Sequence, residues 1–239
     1  MLRRMISTRG MTRMHAVVVA AVFTVLFAAG PSHATWSSST YQEKSTGHPY
    51  PTRVEVDGRE HVLVGAGAEK KHFLFLSFNV FSLGLYVKPE DARPKLEPWI
   101  GREPKQVIAD PAVYRAINDH AIEKSMRMVV ARDVTGDDLR DGFREALVPR
   151  LKSRSDADAG LGALARYMGY FEDRKLPDGT VLFFTCHSGG TLETRIASEQ
   201  QGPIASPALC WALVDTFLGD EPMNESLKKD LVRKLPVAL

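Results

Sequence analysis

His187 stands beside Ser188 and next to Cys186, so nucleophilic chemistry is the first possibility the chain raises. A serine nucleophile needs a base within hydrogen-bond reach and a third group that orients the base. Neighbours in a hairpin turn do not supply that arrangement, so the pair is not read as catalytic. The histidines, at 15, 33, 48, 61, 72, 120 and 187, fall into no metal-ligand spacing. Cys186 and Cys210 are too far apart for a C-x-x-C pair. They have two readings: a disulfide that closes a 24-residue separation, or two separate buried thiols acting as small apolar groups. Gly65-x-Gly67 lacks the third glycine of a dinucleotide fingerprint and leads into a strand. A phosphate loop and a nucleophile elbow are absent from the sequence. Neither a metal nor a cofactor is expected.

The elements that would position a site are legible in outline. Asp57-Gly58 joins Arg53–Val56 to Glu60–Val64 as a hairpin, since both turn positions need positive φ. Gly65-Ala66-Gly67 reads as a second tight corner. The run from His72 to Lys88 is apolar on both faces, which predicts a buried, central strand with its bend at Gly84. Lys105–Ala109 and Lys124–Val134 read as strands. Thr135-Gly136-Asp137-Asp138 reads as a capping box that starts a helix, with Leu139, Phe143, Ala146, Leu147 and Leu151 on one face. A second helix follows through Leu161 to Phe171. Pro177-Asp178-Gly179 leads into a strand ending at Cys186, paired with Thr191–Ile196. Ser206-Pro207 starts another helix, and Asn224 caps a last one that carries Leu227, Leu231 and Leu235. Strands, then helices, then a hairpin, then helices predict an α+β fold with an antiparallel sheet.

The first 34 residues read as a secretory signal peptide. Arg3, Arg4, Arg9 and Arg13 precede an apolar run from Ala16 to Ala29, and Ser32-His33-Ala34 forms a small-x-small cleavage site. The run is shorter than the roughly 20 residues that span a bilayer. Cleavage after Ala34 and a periplasmic or secreted location are expected, with no membrane span left in the mature chain. Four of the 31 Lys and Arg, and none of the 29 Asp and Glu, lie in that segment, so the rest carries 27 against 29, a net of −2. The basicity belongs to the signal, which excludes nucleic acid as an electrostatic partner. Residues 35–51 read as a flexible, exposed lead-in, and 52–239 as one domain.

Four stretches in order resemble the chalcone isomerase-like family. They are Leu63–Gly67 with Leu83–Val87, Ile122-Glu123-Lys124 with Thr135-Gly136, Pro177-Asp178-Gly179 with Ser188–Leu192, and Val214–Gly219 with the closing leucine helix. The resemblance implies a large antiparallel sheet with a layer of α-helices on one face, and a ligand cleft between the long strand and the helices. Plant members close a 2′-hydroxychalcone into a flavanone, which needs a cation for the phenolate and donors for the developing enolate oxygen.

Carried over residue by residue, the family's arginine falls on Glu69, with Lys70 adjacent. Its strand threonine falls on Phe81, its tyrosine on Leu139 and its asparagine on Ala146, while Thr216 alone keeps its type. A carboxylate repels a phenolate, and Leu139 and Ala146 donate nothing. The resemblance therefore implies a non-catalytic protein whose apolar cleft (Glu69, Lys70, Phe81, Leu139, Phe143, Ala146, Thr216 and Phe217) takes a small apolar or lipid-like molecule. The alternative is an isomerase of the intramolecular lyase type, acting on a chalcone-like or other small substrate through Thr216 and Lys70.

Overall fold

The computed structural model describes residues 39–73 and 76–239, so the export segment and its cleavage site lie outside the described residues. Strands β1 (Thr40–Gln42) and β2 (Pro49–Pro51) pair antiparallel. Over 40–51 this corrects the flexible, exposed lead-in expected, the rest of which (35–38) lies outside the described residues. Tyr50 is fully buried and its hydroxyl donates to Ser82 Oγ at 2.7 Å. One large ring with a satisfied polar tip anchors the hairpin, a device that leaves no periodic signal in the sequence.

Asp57-Gly58 turns β3 (Arg53–Val56) into β4 (Arg59–Phe73), with φ of 50° and 73° at the two turn positions. Gly65-Ala66-Gly67 is not a corner: it lies within β4. A Cβ at Gly65 would collide with the backbone of Asp230 and Leu231, so glycine here admits a helix backbone against the sheet. The register of β4 on β5 (Leu76–Val87) shifts between Leu63 and Gly65 and again between Glu69 and Lys70. The bend expected at Gly84 sits there instead, and Gly84 pairs in register with Ala66 and Arg127.

β5 lies inside the sheet, as apolar residues on both its faces predict, but the single strand expected from His72 to Lys88 is divided: His72 and Phe73 end β4 and pair with Ser77 and Leu76 at the start of β5. After it come α1 (Pro89–Leu96), a short turn to Trp99, α2 (Pro104–Ala109) and α3 (Pro111–Ile117). Lys105–Ala109 is thus helical, correcting the expected strand: Pro104 at the first turn presets helical φ over a run too short to show a period. Then follow β6 (Lys124–Val130), β7 (Val134–Thr135), α4 (Gly136–Lys152), α5 (Ala157–Gly169) and β8 (Lys175–Leu176). The chain closes with β9 (Val181–Cys186), β10 (Thr191–Ile196), β11 (Glu199–Gln200), β12 (Ile204–Ala205), α6 (Pro207–Leu218), α7 (Glu225–Leu231) and α8 (Leu235–Ala238). The single leucine helix expected at the end is therefore two, with Pro236 in the first turn of the second.

The main sheet runs β11-β10-β9-β6-β5-β4-β3, with β12 also on β10, and its pairings are antiparallel. One face (Leu83, Leu85, Met126, Met128, Leu182, Phe184) packs on α4, α5 and α6 through Leu147, Leu151, Leu164, Leu209 and Leu213. The other face buries Tyr50, Val54, Val56, Leu63, Tyr86 and Phe183 in one cluster. Val56 on β3 and Phe183 on β9 share that cluster although three strands lie between them in the sheet, so the sheet curls until the β3 edge folds over β9 and β10.

Candidate functional site

The capping box forms as the sequence predicts. Asp138 N–H donates to Thr135 Oγ1 at 3.2 Å, and Thr135 N–H donates to Asp138 Oδ2 at 2.8 Å. That start fixes the rotation of α4, which turns Leu139, Phe143 and Ala146 toward β5. Ser206 caps α6 by its side chain alone, accepting from Leu209 N–H at 3.2 Å, and so sets Thr216 and Phe217 on the side facing β5.

Between these helices and the strands lies a cavity of about 220 Å³. Glu69 on β4, Phe81 on β5, Leu139, Phe143 and Ala146 on α4, and Thr216 and Phe217 on α6 all line it. All five positions carried over from the family pattern therefore converge on one space. Lys70 does not: it is exposed and falls outside the lining, because adjacent strand residues point to opposite faces. Glu69, directly across from Phe81 in the register, takes the inward place.

Most of the lining is apolar. Val80, Met128, Val134, Leu147 and Leu213 complete it, and Met223, 43% exposed, stands at the mouth. Asp138 and Arg132 are the exposed polar side chains at the rim, and the buried Glu69 carboxylate lies deeper. Thr216 donates its hydroxyl to the Ala212 carbonyl at 2.9 Å, so its proton is held within its own helix. Arg132, Met128 and Met223 were not singled out from sequence. Gly142, one turn before Ala146 on α4, was not singled out either, though helical spacing puts it on the same face.

The two cysteines are buried and free. The Cys186 thiol points at the Cys210 carbonyl at 3.8 Å, and the hydrogen bond with Cys186 together with burial pushes the Cys210 thiol far up. Of the two readings left open by the sequence, the structure has separate buried thiols.

A family model described as chalcone isomerase like matches residues 59–232. The chain belongs to the chalcone isomerase-like family. It is 24% identical over 197 residues to a chalcone–flavanone isomerase of Oryza sativa subsp. japonica, covering 78% of this chain and 84% of that one. It is equally 24% identical over 213 residues to fatty-acid-binding protein 1 of Arabidopsis thaliana, covering 84% of this chain and 74% of that one. The crystal structure of an Arabidopsis thaliana fatty-acid-binding protein superposes with a TM-score of 0.69 at 20% identity, covering 82% of this chain and 96% of that one. This likeness establishes the shared fold: the α+β architecture with a helical layer on one face of a large antiparallel sheet. Both an isomerase and a fatty-acid-binding protein thus stand at the same distance in sequence, and the choice between them falls to the cavity.

Proposed function

We propose that this chain is a non-catalytic member of the chalcone isomerase-like family that holds a small apolar or lipid-like molecule in the cavity between β5 and helices α4 and α6. One observation carries the reading. The five converging family positions hold Glu69, Phe81, Leu139, Ala146 and Thr216, and the one retained hydroxyl is spent on Ala212. Ring closure of a chalcone needs a cation and donors aimed at developing negative charge. None of the five positions supplies either: the depth offers a buried carboxylate and hydrocarbon, and the guanidinium of Arg132 stands exposed at the rim. The volume supports the reading as well, since an apolar cavity of roughly 150 Å³ already accommodates benzene.

With Glu69 in the depth, an apolar chain would enter first and leave its polar end at the rim, beside Arg132. The signal-like segment at 1–34 supports export, with Thr35 as the first residue of the mature protein. Native mass spectrometry of the protein purified from a periplasmic fraction tests both statements. The expected result is a mass that begins at Thr35, with one bound dodecanoate or dodecanol, and loss of the adduct on Ala146→Phe. An adduct that survives Ala146→Phe, or accelerated closure of 2′-hydroxychalcone by the wild type, would overturn the binding reading.

A further inference from the structure

On the far side of the sheet from the cavity, the curl brings the β3–β4 turn over the end of β9. Asp57, Glu193 and His187 converge there. His187 Nε2 lies 3.9 Å from Asp57 Oδ2 and 3.6 Å from Glu193 Oε1, and the three ligand atoms lie within 4.8 Å of one another. The His187 side chain is 14% exposed and its Nε2, itself buried, makes no hydrogen bond.

The other ring nitrogen faces a carboxylate. Nδ1 lies 3.2 Å from Glu123 Oε2, and the Glu123 side chain is 1% exposed. Its other oxygen lies 3.1 Å from His61 Nε2 and 3.3 Å from Arg59 Nε, so the carboxylate is held in place behind the ring. Arg59 Nη2, which can only donate, also comes within 3.3 Å of Nδ1; in the tautomer the site requires, Nδ1 carries the proton and donates it to Glu123, while Arg59 turns to the Asp57 and Glu123 carboxylates. The lone pair of Nε2 is then aimed at two carboxylates.

A positive group between them would be stabilised by both. A proton on Nε2 would serve poorly, because 3.6 and 3.9 Å exceed the roughly 2.7–3.2 Å of an N–H···O bond. A metal bound at about 2.0–2.1 Å in a tetrahedron sets its ligands roughly 3.3–3.4 Å apart, closer than the two His187 distances and the 4.8 Å that bounds the set, so the Asp57 and Glu193 side chains on the rim would close inward on the ion. Arg59 contacts Asp57 and Glu123 at 3.5 and 3.3 Å, and Arg195 lines the same recess as Asp57 and Glu193.

We propose that Asp57, His187 and Glu193 form a binding site for a first-row divalent metal ion of the Zn²⁺ kind, with Glu123 orienting His187 from behind. One imidazole with two carboxylates favours Zn²⁺ and its transition-metal neighbours over Ca²⁺ and Mg²⁺. The carboxylate–imidazole–metal order is the usual support of a ligating histidine. Asp57 lies on an exposed turn, which leaves the remaining coordination position to water. The site is independent of the cavity and of the ligand assigned to it.

Titration of the untagged full-length protein, after chelator treatment, with zinc chloride in competition with a fluorescent chelator tests the site. One equivalent at micromolar affinity or tighter is expected, weakened at least 10-fold in Glu193→Gln and in Asp57→Asn, and about 10–100-fold in Glu123→Gln. These exchanges keep shape, and asparagine tolerates the positive φ at position 57, so circular dichroism should be unchanged. Cobalt(II) in place of zinc should show d–d absorption without a thiolate charge-transfer band, which separates this site from Cys186 and Cys210. Affinity equal to wild type in Glu193→Gln and Asp57→Asn, a thiolate band, or no stoichiometric zinc would overturn the proposal.

Discussion

The ring of Phe217 meets that of Phe81 edge to face, with centroids 6.2 Å apart and planes at 84°. The pair joins α6 to β5 and closes the cavity with hydrocarbon where the family pattern places a threonine. Phe81→Ala removes a 9%-exposed ring and one side of that contact. Loss of stability of about 3–5 kcal/mol is expected, together with uptake of bulkier apolar ligands. Denaturant unfolding and native mass spectrometry read the two effects. A variant as stable as wild type would mean that the ring is not packed as described.

Thr216→Val separates binding from catalysis at a single atom. The hydroxyl donates to Ala212 within the helix, so its removal leaves one helix carbonyl with its ordinary backbone partner and costs about 1 kcal/mol or less. Dodecanoate affinity should stay within twofold of wild type. A fall of tenfold or more would place the hydroxyl on the ligand and revive a chemical role for it.

Much of this site could be read before any coordinates. The resemblance supplied Glu69, Phe81, Leu139, Ala146 and Thr216, by counting from Gly67 to Gly84 and from Glu123 to Gly136; the helical period independently set Leu139 and Ala146 on one face of α4. Lys70 failed, one residue out of phase on β4. What stayed hidden depends on contacts across long stretches of chain. Tyr50 anchors β1–β2 by a hydrogen bond to Ser82, 32 residues on. The meeting of Asp57 with His187 depends on sheet curl, to which no local pattern corresponds. Gly65-Ala66-Gly67 was misread as a corner because close approach and a turn both call for glycine, and only the position of α7 separates them.

Gly65→Ala tests that distinction. A methyl group at this position meets the backbone of Asp230 and Leu231, which cannot swing aside as a side chain would. The expected loss is at the upper end of the roughly 1–3 kcal/mol that overpacking costs. Hydrogen exchange should locate the damage in α7 and the middle of β4. A corner glycine at an exposed turn would tolerate the methyl with far smaller effect.

The cap of α4 ties the cavity to pH. Asp138 accepts from Thr135 N–H and Oγ1–H, at 2.8 and 2.7 Å, and these bonds, with a smaller contribution from Arg132, hold its carboxyl below the ordinary 3.8. A carboxyl whose folded pKa is depressed stabilises the fold above its unfolded value, and that contribution is lost as pH falls through the folded value. Asp138→Ala should therefore be less stable than wild type at neutral pH, and the gap should close as pH falls below about 4. Thr135→Ala, which removes the cap itself, should cost about 1 kcal/mol at neutral pH. Because this turn holds Leu139 against the cavity, dodecanoate binding should weaken along with the cap in both variants. Full affinity in a variant whose first turn has frayed, seen as fast exchange of the Leu139 amide, would detach the cap from the ligand site.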